Sequence, residues 1–328
     1  MTIDLTDTTT GQIQQALTQA RLRLGGPTMG MVLTLVIGTD EATQYDAIRA
    51  AGQAAREHPC RVLGVIKRDP RARRRLDAEI RVAENGPGET VLLRLYGPLG
   101  EHADSVVAPL LVPDTPVVTW WPANPPSVPA ADPLGAVAQR RVTDVATASD
   151  PRRALAELAA RYRPGDTDFS WTRATRWRSL LAATLDQPHE RITGGVVAAE
   201  DGNPSAVLLA AWLSVKLDVP FIVETSPGPG VTDVRICLAE GAIEITRPDG
   251  RVATLSRPGQ PDRMVALHRR ETGDLLAEEL RRLDPDEVYI ESAAQFALSA
   301  DGHGIGWHGA GGPGAGGPGA GGPGAGGQ

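Results

Sequence analysis

The sequence has only two cysteines, Cys60 and Cys237, and they lie 177 positions apart in a chain of 328 residues. This spacing excludes a local Cys-x-x-Cys metal or redox motif, and two thiols are too few for a disulfide framework. No run of 18 or more apolar residues occurs, which excludes a transmembrane helix. The first residues are acidic, unlike the basic start of a secretory signal. We therefore expect a cytoplasmic protein with no membrane partner.

Lysine is almost absent: the chain has 31 arginines but only Lys67 and Lys216. The net charge is −7 and the isoelectric point is about 5.5. This balance argues against nucleic acid as a partner, because phosphate backbones are bound by clustered positive charge. One exception is the segment 67–75, with six cations and one anion. This segment is either a solvated loop or a site for an anion or acidic partner. It has no interleaved aromatic residue, which disfavours nucleic-acid binding.

The common catalytic motifs are missing as well. The sequence has no Walker A motif, no Gly-x-Gly-x-x-Gly after a buried strand, no Gly-x-Ser-x-Gly elbow and no His-x-x-x-His pair. No pair of carboxylates stands out by its spacing. We therefore predict no catalytic residue, no cofactor and no metal site.

The hydrophobic patterns that are present predict an α/β protein. Continuous apolar runs at 31–37 and 61–66 flank an amphipathic helix, which indicates a βαβ unit with parallel strands. Alternating apolar residues at 78–82 and 91–95 predict an antiparallel hairpin beside it. Strand and helix patterns alternate again from residue 192 to 283. We predict two α/β domains, each with a mixed sheet, joined by a helical connector.

The domain boundaries follow from helix signals and composition. Asp150 before Pro151 is a good helix start and opens the connector. The last 20 residues hold 12 Gly and 3 Pro in a five-residue repeat, which predicts disorder. The predicted order is an N-terminal helix in 1–24, an N-terminal α/β domain in 25–148, the connector in 149–188, a C-terminal α/β domain in 189–300 and a disordered Gly/Pro-rich tail in 301–328.

Two segments combine tryptophan with proline or arginine. Neighbouring Trp120 and Trp121 on a strand point to opposite faces, so either both pack or one is exposed to a partner. The segment 171–178 carries arginine and tryptophan, the types enriched in binding hot spots. The alternative there is arginine stacked on tryptophan within the fold. The candidate partner-binding residues are Trp121, Pro122, Trp171, Arg173, Trp177 and Arg178.

A second class of function is an enzyme or sensor that binds a sugar phosphate. Its candidate anion-binding residues are Arg61 at a strand start, Arg68 beyond that strand and Asn203 at a helix start. Free N–H groups at a helix N-terminus can hold a phosphate. The alternative for Asn203 is a simple helix cap.

Several collinear segments of the chain form a recognisable set, among them His58-Pro-Cys-Arg61 and Pro116-Val-Val-Thr-Trp-Trp-Pro122. The further segments are 3–10, 88–97, 132–135, 139–144, 164–168, 171–173, 257–263, 269–272 and 278–285. Together they resemble the bacterial glucose-6-phosphate dehydrogenase assembly proteins, the OpcA family. The similarity runs from residue 1 to about residue 290.

The resemblance implies a function that the residues alone do not give. It implies a non-catalytic assembly factor and allosteric activator that binds glucose-6-phosphate dehydrogenase and favours its active oligomer. The pathway implied is the oxidative pentose phosphate pathway, with its supply of NADPH. The thiol control of photosynthetic members is not expected, since Cys60 and Cys237 do not suggest a regulatory pair.

Overall fold

The computed structural model describes residues 1–24, 30–82, 88–300 and 307–308, which form two β-sheets with helices on their faces. The strands of the first sheet are β1 (Thr2–Leu5), β2 (Leu33–Thr39), β3 (Cys60–Lys67), β4 (Arg75–Val82), β5 (Glu89–Tyr96), β6 (Val117–Trp121), β7 (Arg140–Thr143) and β8 (Asp166–Asp168). Their order is β1-β4-β5-β3-β2-β6-β7-β8. Strands β5, β3, β2, β6, β7 and β8 are parallel, and β4 and β1 continue the sheet antiparallel.

The second sheet contains the later strands of the chain. They are β9 (Ile192–Ala199), β10 (Phe221–Thr225), β11 (Val231–Leu238), β12 (Ala242–Thr246), β13 (Val252–Arg257), β14 (Gln260–Ala266) and β15 (Trp307–His308). Their order is β14-β13-β12-β11-β9-β10-β15. Strand β10 is parallel to β9 and β15, and the other neighbours are antiparallel. The prediction of two mixed sheets is thus confirmed.

Ten α-helices occur in the described part of the chain. They are α1 (Thr10–Leu24), α2 (Gln44–Ala54), α3 (Ala103–Val107), α4 (Pro133–Ala136), α5 (Pro151–Ala160), α6 (Phe169–Arg173), α7 (Thr175–Leu185), α8 (Pro204–Leu217), α9 (Thr272–Arg281) and α10 (Glu287–Ala300). Two predicted helix starts are confirmed: Asp150 accepts a hydrogen bond from Arg153 N at 3.0 Å, and Asn203 accepts one from Ala206 N at 3.1 Å. No helix of these residues is long and apolar enough to cross a membrane.

Both faces of the first sheet are covered by helices. On one face, buried residues of α1 and α3 pack with alternating residues of β4 and β5, as the alternation in the sequence predicts. On the other face, α2 packs together with α9, which comes more than 200 residues later in the chain. The core of the first sheet therefore includes a helix from the C-terminal part of the sequence.

The connector region is more closely joined to the first sheet than its sequence indicates. Residues 164–168 contain β8, which pairs with β7. The Asp-Thr-Asp sequence of this strand has no apolar pattern, and buried hydrogen bonds hold it in place. One is the bond of Thr143 Oγ1 to Asp168 Oδ2 at 2.6 Å. Between β5 and β6 the chain forms only the short helix α3 with flanking 3₁₀ turns, and Pro109, which has no backbone N–H, lies in the second of these turns.

Helices α5, α8 and α10 pack together in a further core. Helix α10 packs against α8 and α5, and the core there includes Leu155, Trp171, Leu208 and Phe296. The predicted disordered tail, 301–328, lies outside the described residues apart from the two-residue strand β15.

Candidate functional site

The connector helices α6 and α7 hold four of the six predicted partner-binding residues. The rings of Trp171 and Trp177 are buried. Trp171 donates from Nε1 to Asp286 Oδ2 at 2.8 Å, and the guanidinium carbon of Arg178 lies 3.6 Å from the centre of its ring. Burial lowers the pKa of Arg178 to about 10. Arg178 therefore stacks on Trp171 within the fold, as in the alternative to a partner-binding site.

Arg173 is the member of this group that joins the connector to the first sheet. Its Nη1 and Nη2 donate to the two carboxylate oxygens of Asp144 at 2.7 and 2.6 Å. Asp144 follows β7, and the fully buried Asp168 at the end of β8 lies nearby. Burial, reinforced by the charge of Asp144, raises the pKa of Asp168 to about 6. The side chain of Arg173 remains 30% exposed.

Trp121 and Pro122 lie at the carboxyl end of β6 and differ in exposure. Trp121 is buried against Gly38: a Cβ built on that glycine would lie 2.6 Å from the indole ring. Glycine at position 38 thus leaves the space that the ring fills. Pro122 is half-buried at the start of a loop, and its carbonyl accepts from Thr147 Oγ1 at 3.4 Å. Of this pair, Pro122 is the residue that reaches the surface.

Arg61 and Arg68 are held in ion pairs. Arg61 is buried, donates from Nε to Glu89 at 3.0 Å and from Nη1 to the carbonyl of Leu110 at 2.6 Å. Arg21 of α1 also donates to Glu89, at 2.8 Å. This arrangement corrects the suggestion that Arg61 binds an external anion: its guanidinium joins β3 to β5 and to the turn after α3. Arg68 pairs with Glu41 at the surface.

Asn203, the third predicted anion-binding residue, lies in a cleft rich in arginine, which we call the arginine cleft. The cleft is lined by the α6–α7 junction (173–177), the start of α8 (203–205), the start of β11 (230–231), Arg247 after β12, and 268–270 before α9. Asn203 caps α8 and donates from Nδ2 to Glu200 at 3.0 Å. The cleft lies where β9 leads into α8, the carboxyl end of a parallel strand, where open α/β sheets bind ligands.

Five arginines and one histidine line the arginine cleft: Arg173, Arg176, Arg247, Arg269, Arg270 and His268. No aspartate or glutamate is among its described lining residues. Of the residues that the sequence analysis singled out, Arg173, Trp177 and Asn203 line this cleft. The consecutive residues His268, Arg269 and Arg270 indicate local positive charge in the sequence. They do not predict the cleft, because it forms only where the end of β12 and the start of α9 meet the connector. Its chemistry favours anions, since it offers donors and positive charge.

A second depression lies between α2 and strands β4 and β5, with a cavity volume of about 450 Å³. Its walls carry charges of both signs, among them Arg49, Glu79 and Arg94, and Tyr45 on α2 is exposed at its rim. Among the described residues, no group of three or more His, Cys, Asp and Glu side chains could hold a metal ion.

Comparison with protein families gives two consecutive matches. Residues 51–160 match the model described as the glucose-6-phosphate dehydrogenase subunit N-terminal domain, and residues 164–293 match the corresponding C-terminal domain. Together the matches cover 240 of the 328 residues. The boundary between them falls in the connector, between α5 and β8.

Two curated relatives from cyanobacteria are both named OxPP cycle protein OpcA. The protein from Synechococcus elongatus is 27% identical over 209 residues, which are 60% of this chain and 44% of the relative. The protein from Synechocystis is 25% identical over 150 residues, 43% of this chain and 32% of the relative. The chain thus spans less than half the length of these relatives.

Solved structures give weaker similarities. A 3-ketoreductase from Actinomadura kijaniata has a TM-score of 0.45 and 13% identity, covering 84% of this chain and 98% of that one. An inositol dehydrogenase homolog from Azotobacter vinelandii has a TM-score of 0.40 and 11% identity, with coverage of 86% and 98%. Similarities of this size assign no activity.

Proposed function

This chain belongs to the OpcA family of glucose-6-phosphate dehydrogenase assembly proteins, and we propose that it binds the dehydrogenase without catalysing a reaction itself. The observation that carries the proposal is the pair of consecutive family matches, which spans both sheets and the connector. We further propose that binding favours the active oligomer of the dehydrogenase in the cytoplasm. The complex would thereby support the oxidative pentose phosphate pathway and its supply of NADPH.

To activate the dehydrogenase in this way, the protein must bind its active and inactive states with different affinities. A protein that binds the active state of the dehydrogenase better than the inactive state shifts the equilibrium by that difference in binding free energy. Allosteric couplings are typically about 1–3 kcal/mol, or roughly 5–150-fold in affinity. The linkage is reciprocal, so a substrate that stabilises the active dehydrogenase should tighten its complex with this protein.

The proposed contact region is the carboxyl edge of the first sheet, where the predicted residues Pro122 and Arg173 reach the surface. Pro122 opens a proline-rich loop that follows β6, and binding residues are frequent on loops held by a rigid sheet. Trp121, which precedes Pro122 in the chain, and Trp171, on the same short helix as Arg173, are buried.

The test is to mix the purified protein with its cognate dehydrogenase, size the mixture and follow NADPH formation. We expect a complex and a faster rate. No complex and an unchanged rate, with and without glucose 6-phosphate, would refute the proposal. Pro122→Glu tests the contact region, with Leu22→Glu on α1 as the matched control at another exposed site. If both variants bind the dehydrogenase with the same affinity, the contact lies elsewhere on the protein, and the proposed function is unaffected.

The second candidate, a sugar-phosphate-binding enzyme or sensor, has one observation in its favour, the arginine cleft. A binding site for anions does not by itself make an enzyme. The cleft is compatible with an assembly factor that also senses a metabolite.

A further inference from the structure

The arginine cleft holds more positive charge than its neighbouring carboxylates neutralise. Arg173 is paired with Asp144, and Arg270 is paired with Glu278. Arg176, Arg247 and Arg269 have no carboxylate oxygen within 4.0 Å in the described part of the chain. Three arginines therefore line one cleft without a carboxylate partner in the described ranges.

Arg247 is the most informative of the three because it is buried. Only 5% of the residue is exposed, and its guanidinium carbon lies 5.0 Å from the centre of the Trp177 ring. Its Nη1 donates to the carbonyl of Leu267 at 3.0 Å and its Nη2 to that of Val231 at 2.7 Å. Its buried Nε has no hydrogen-bond partner among the residues that the structure describes. A buried charge left without a counterion is unfavourable, and burial together with the charge of Arg269 lowers the pKa of Arg247 to about 10.

Two guanidiniums converge on one point of the cleft at Gly230. A Cβ built on this glycine would lie 3.7 Å from Arg247 Nη2 and 3.8 Å from Arg269 Nε. The two nitrogens are therefore at most about 7.5 Å apart. One phosphate group can bridge such a separation with a charge-assisted hydrogen bond to each arginine.

The start of α8 adds to the attraction for anions. This helix has 14 residues and opens into the cleft at Asn203 and Ser205. The N-terminal end of a helix carries partial positive charge. The cavity volume is about 70 Å³, which suits a phosphate group and is far below the roughly 300–1,000 Å³ of pockets that enclose whole ligands.

We propose that the arginine cleft binds a phosphate group, presented as inorganic phosphate or as the phosphate ester of a small metabolite. The exposed Arg269 and Arg176 supply hydrogen-bond donors, and the buried Arg247 supplies fixed positive charge. The remainder of an ester lies outside the cavity because there is no room for it inside.

The experiment is isothermal titration calorimetry on the full chain at constant ionic strength. The ligands are inorganic phosphate, glucose 6-phosphate and, as a neutral control, glucose. Arg269→Ala removes an exposed donor of the cleft. Arg263→Ala on β14 is the matched control, since it removes an exposed arginine six residues away in the chain and outside the cleft. Circular dichroism checks that both variants fold, and Arg176→Ala is a second cleft variant.

We expect phosphate and glucose 6-phosphate to bind and glucose not to bind. Arg269→Ala should raise the Kd about tenfold, the effect of one lost charge-assisted hydrogen bond, and Arg263→Ala should change it less than about twofold. Similar Kd values for the two phosphates identify a site for the phosphate group alone. Tighter binding of the ester shows that the sugar is contacted as well.

Two results would overturn the proposal. One is no heat of binding from either phosphate up to about 10 mM, which corresponds to negligible affinity. The other is equal weakening by Arg263→Ala and Arg269→Ala, which indicates diffuse charge attraction. The experiment contains no dehydrogenase, so its outcome is independent of the proposed assembly function.

Discussion

A buried ion pair between β7 and α9 makes a quantitative prediction about what holds the two parts of the chain together. The Nε of Arg140 donates to Glu279 Oε2 at 2.9 Å, and both residues are about 95% buried. The Nη1 of Arg140 donates to the carbonyl of Asp284 at 2.9 Å, and Thr172 Oγ1 donates to the other oxygen of Glu279 at 2.5 Å. One carboxylate thus ties a strand of the first sheet, the connector and a C-terminal helix.

Glu279→Ala removes this carboxylate and leaves the charge of Arg140 buried with a carbonyl as its acceptor. Breaking a buried pair in this way typically costs about 3–5 kcal/mol. The matched control is Glu57→Ala. It breaks an exposed ion pair between Glu57 and Arg281, which lies on α9 as Glu279 does; the side chains of Glu57 and Arg281 are 55% and 68% exposed. An exposed pair contributes less than about 1 kcal/mol.

Urea unfolding followed by circular dichroism measures both effects. With an m-value of roughly 3 kcal/mol per M, Glu279→Ala should lower the midpoint by about 1 M or more, and Glu57→Ala by less than about 0.3 M. The double variant Arg140→Met with Glu279→Leu should recover most of the loss, because it leaves no unpaired charge. Equal shifts for Glu279→Ala and Glu57→Ala would refute the reasoning.

Three further predictions concern stability and reactivity. Gly38→Ala places a methyl group against the Trp121 ring and should lower the free energy of unfolding by about 1–3 kcal/mol; an unchanged melting temperature would contradict this packing. Burial raises the pKa of Cys60 to about 12, so a thiol reagent should modify the partly exposed Cys237 first, and Cys60 only on unfolding; rapid modification of both thiols would contradict it. The raised pKa of Asp168, about 6 against 3.8, means that the folded state binds a proton there that the unfolded state releases. This contribution to stability falls as pH rises from about 4 to 6. The free energy of unfolding of Asp168→Asn should therefore decline less over that range than that of the unchanged protein, and parallel pH profiles of the two proteins would contradict this.

The elements predicted best from the sequence are those whose pattern is local. The apolar runs of β2 and β3 and the alternation in β4 and β5 each determine what a strand can bury, and the structure confirms all four. The cap at Asn203 is local as well. Strand β8 was not predictable in this way because its residues are polar and are stabilised by partners elsewhere in the chain.

The candidate sites depend on distant contacts and were harder to predict. The sequence marks 171–178 as unusual, but only the fold shows that Trp171 and Trp177 are buried while Arg173 is partly exposed. Residue type alone could not separate Arg61, held by Glu89, from Arg247, which has no carboxylate partner among the described residues. Charge pairing is set by tertiary structure.

The central claim is that this chain binds glucose-6-phosphate dehydrogenase and prefers its active oligomer. The most direct measurement is the Kd of the complex by analytical ultracentrifugation, with the cognate dehydrogenase in the presence and absence of glucose 6-phosphate. The account predicts a complex with the active oligomer and tighter binding with substrate, by roughly 5-fold or more. No complex under either condition would contradict it.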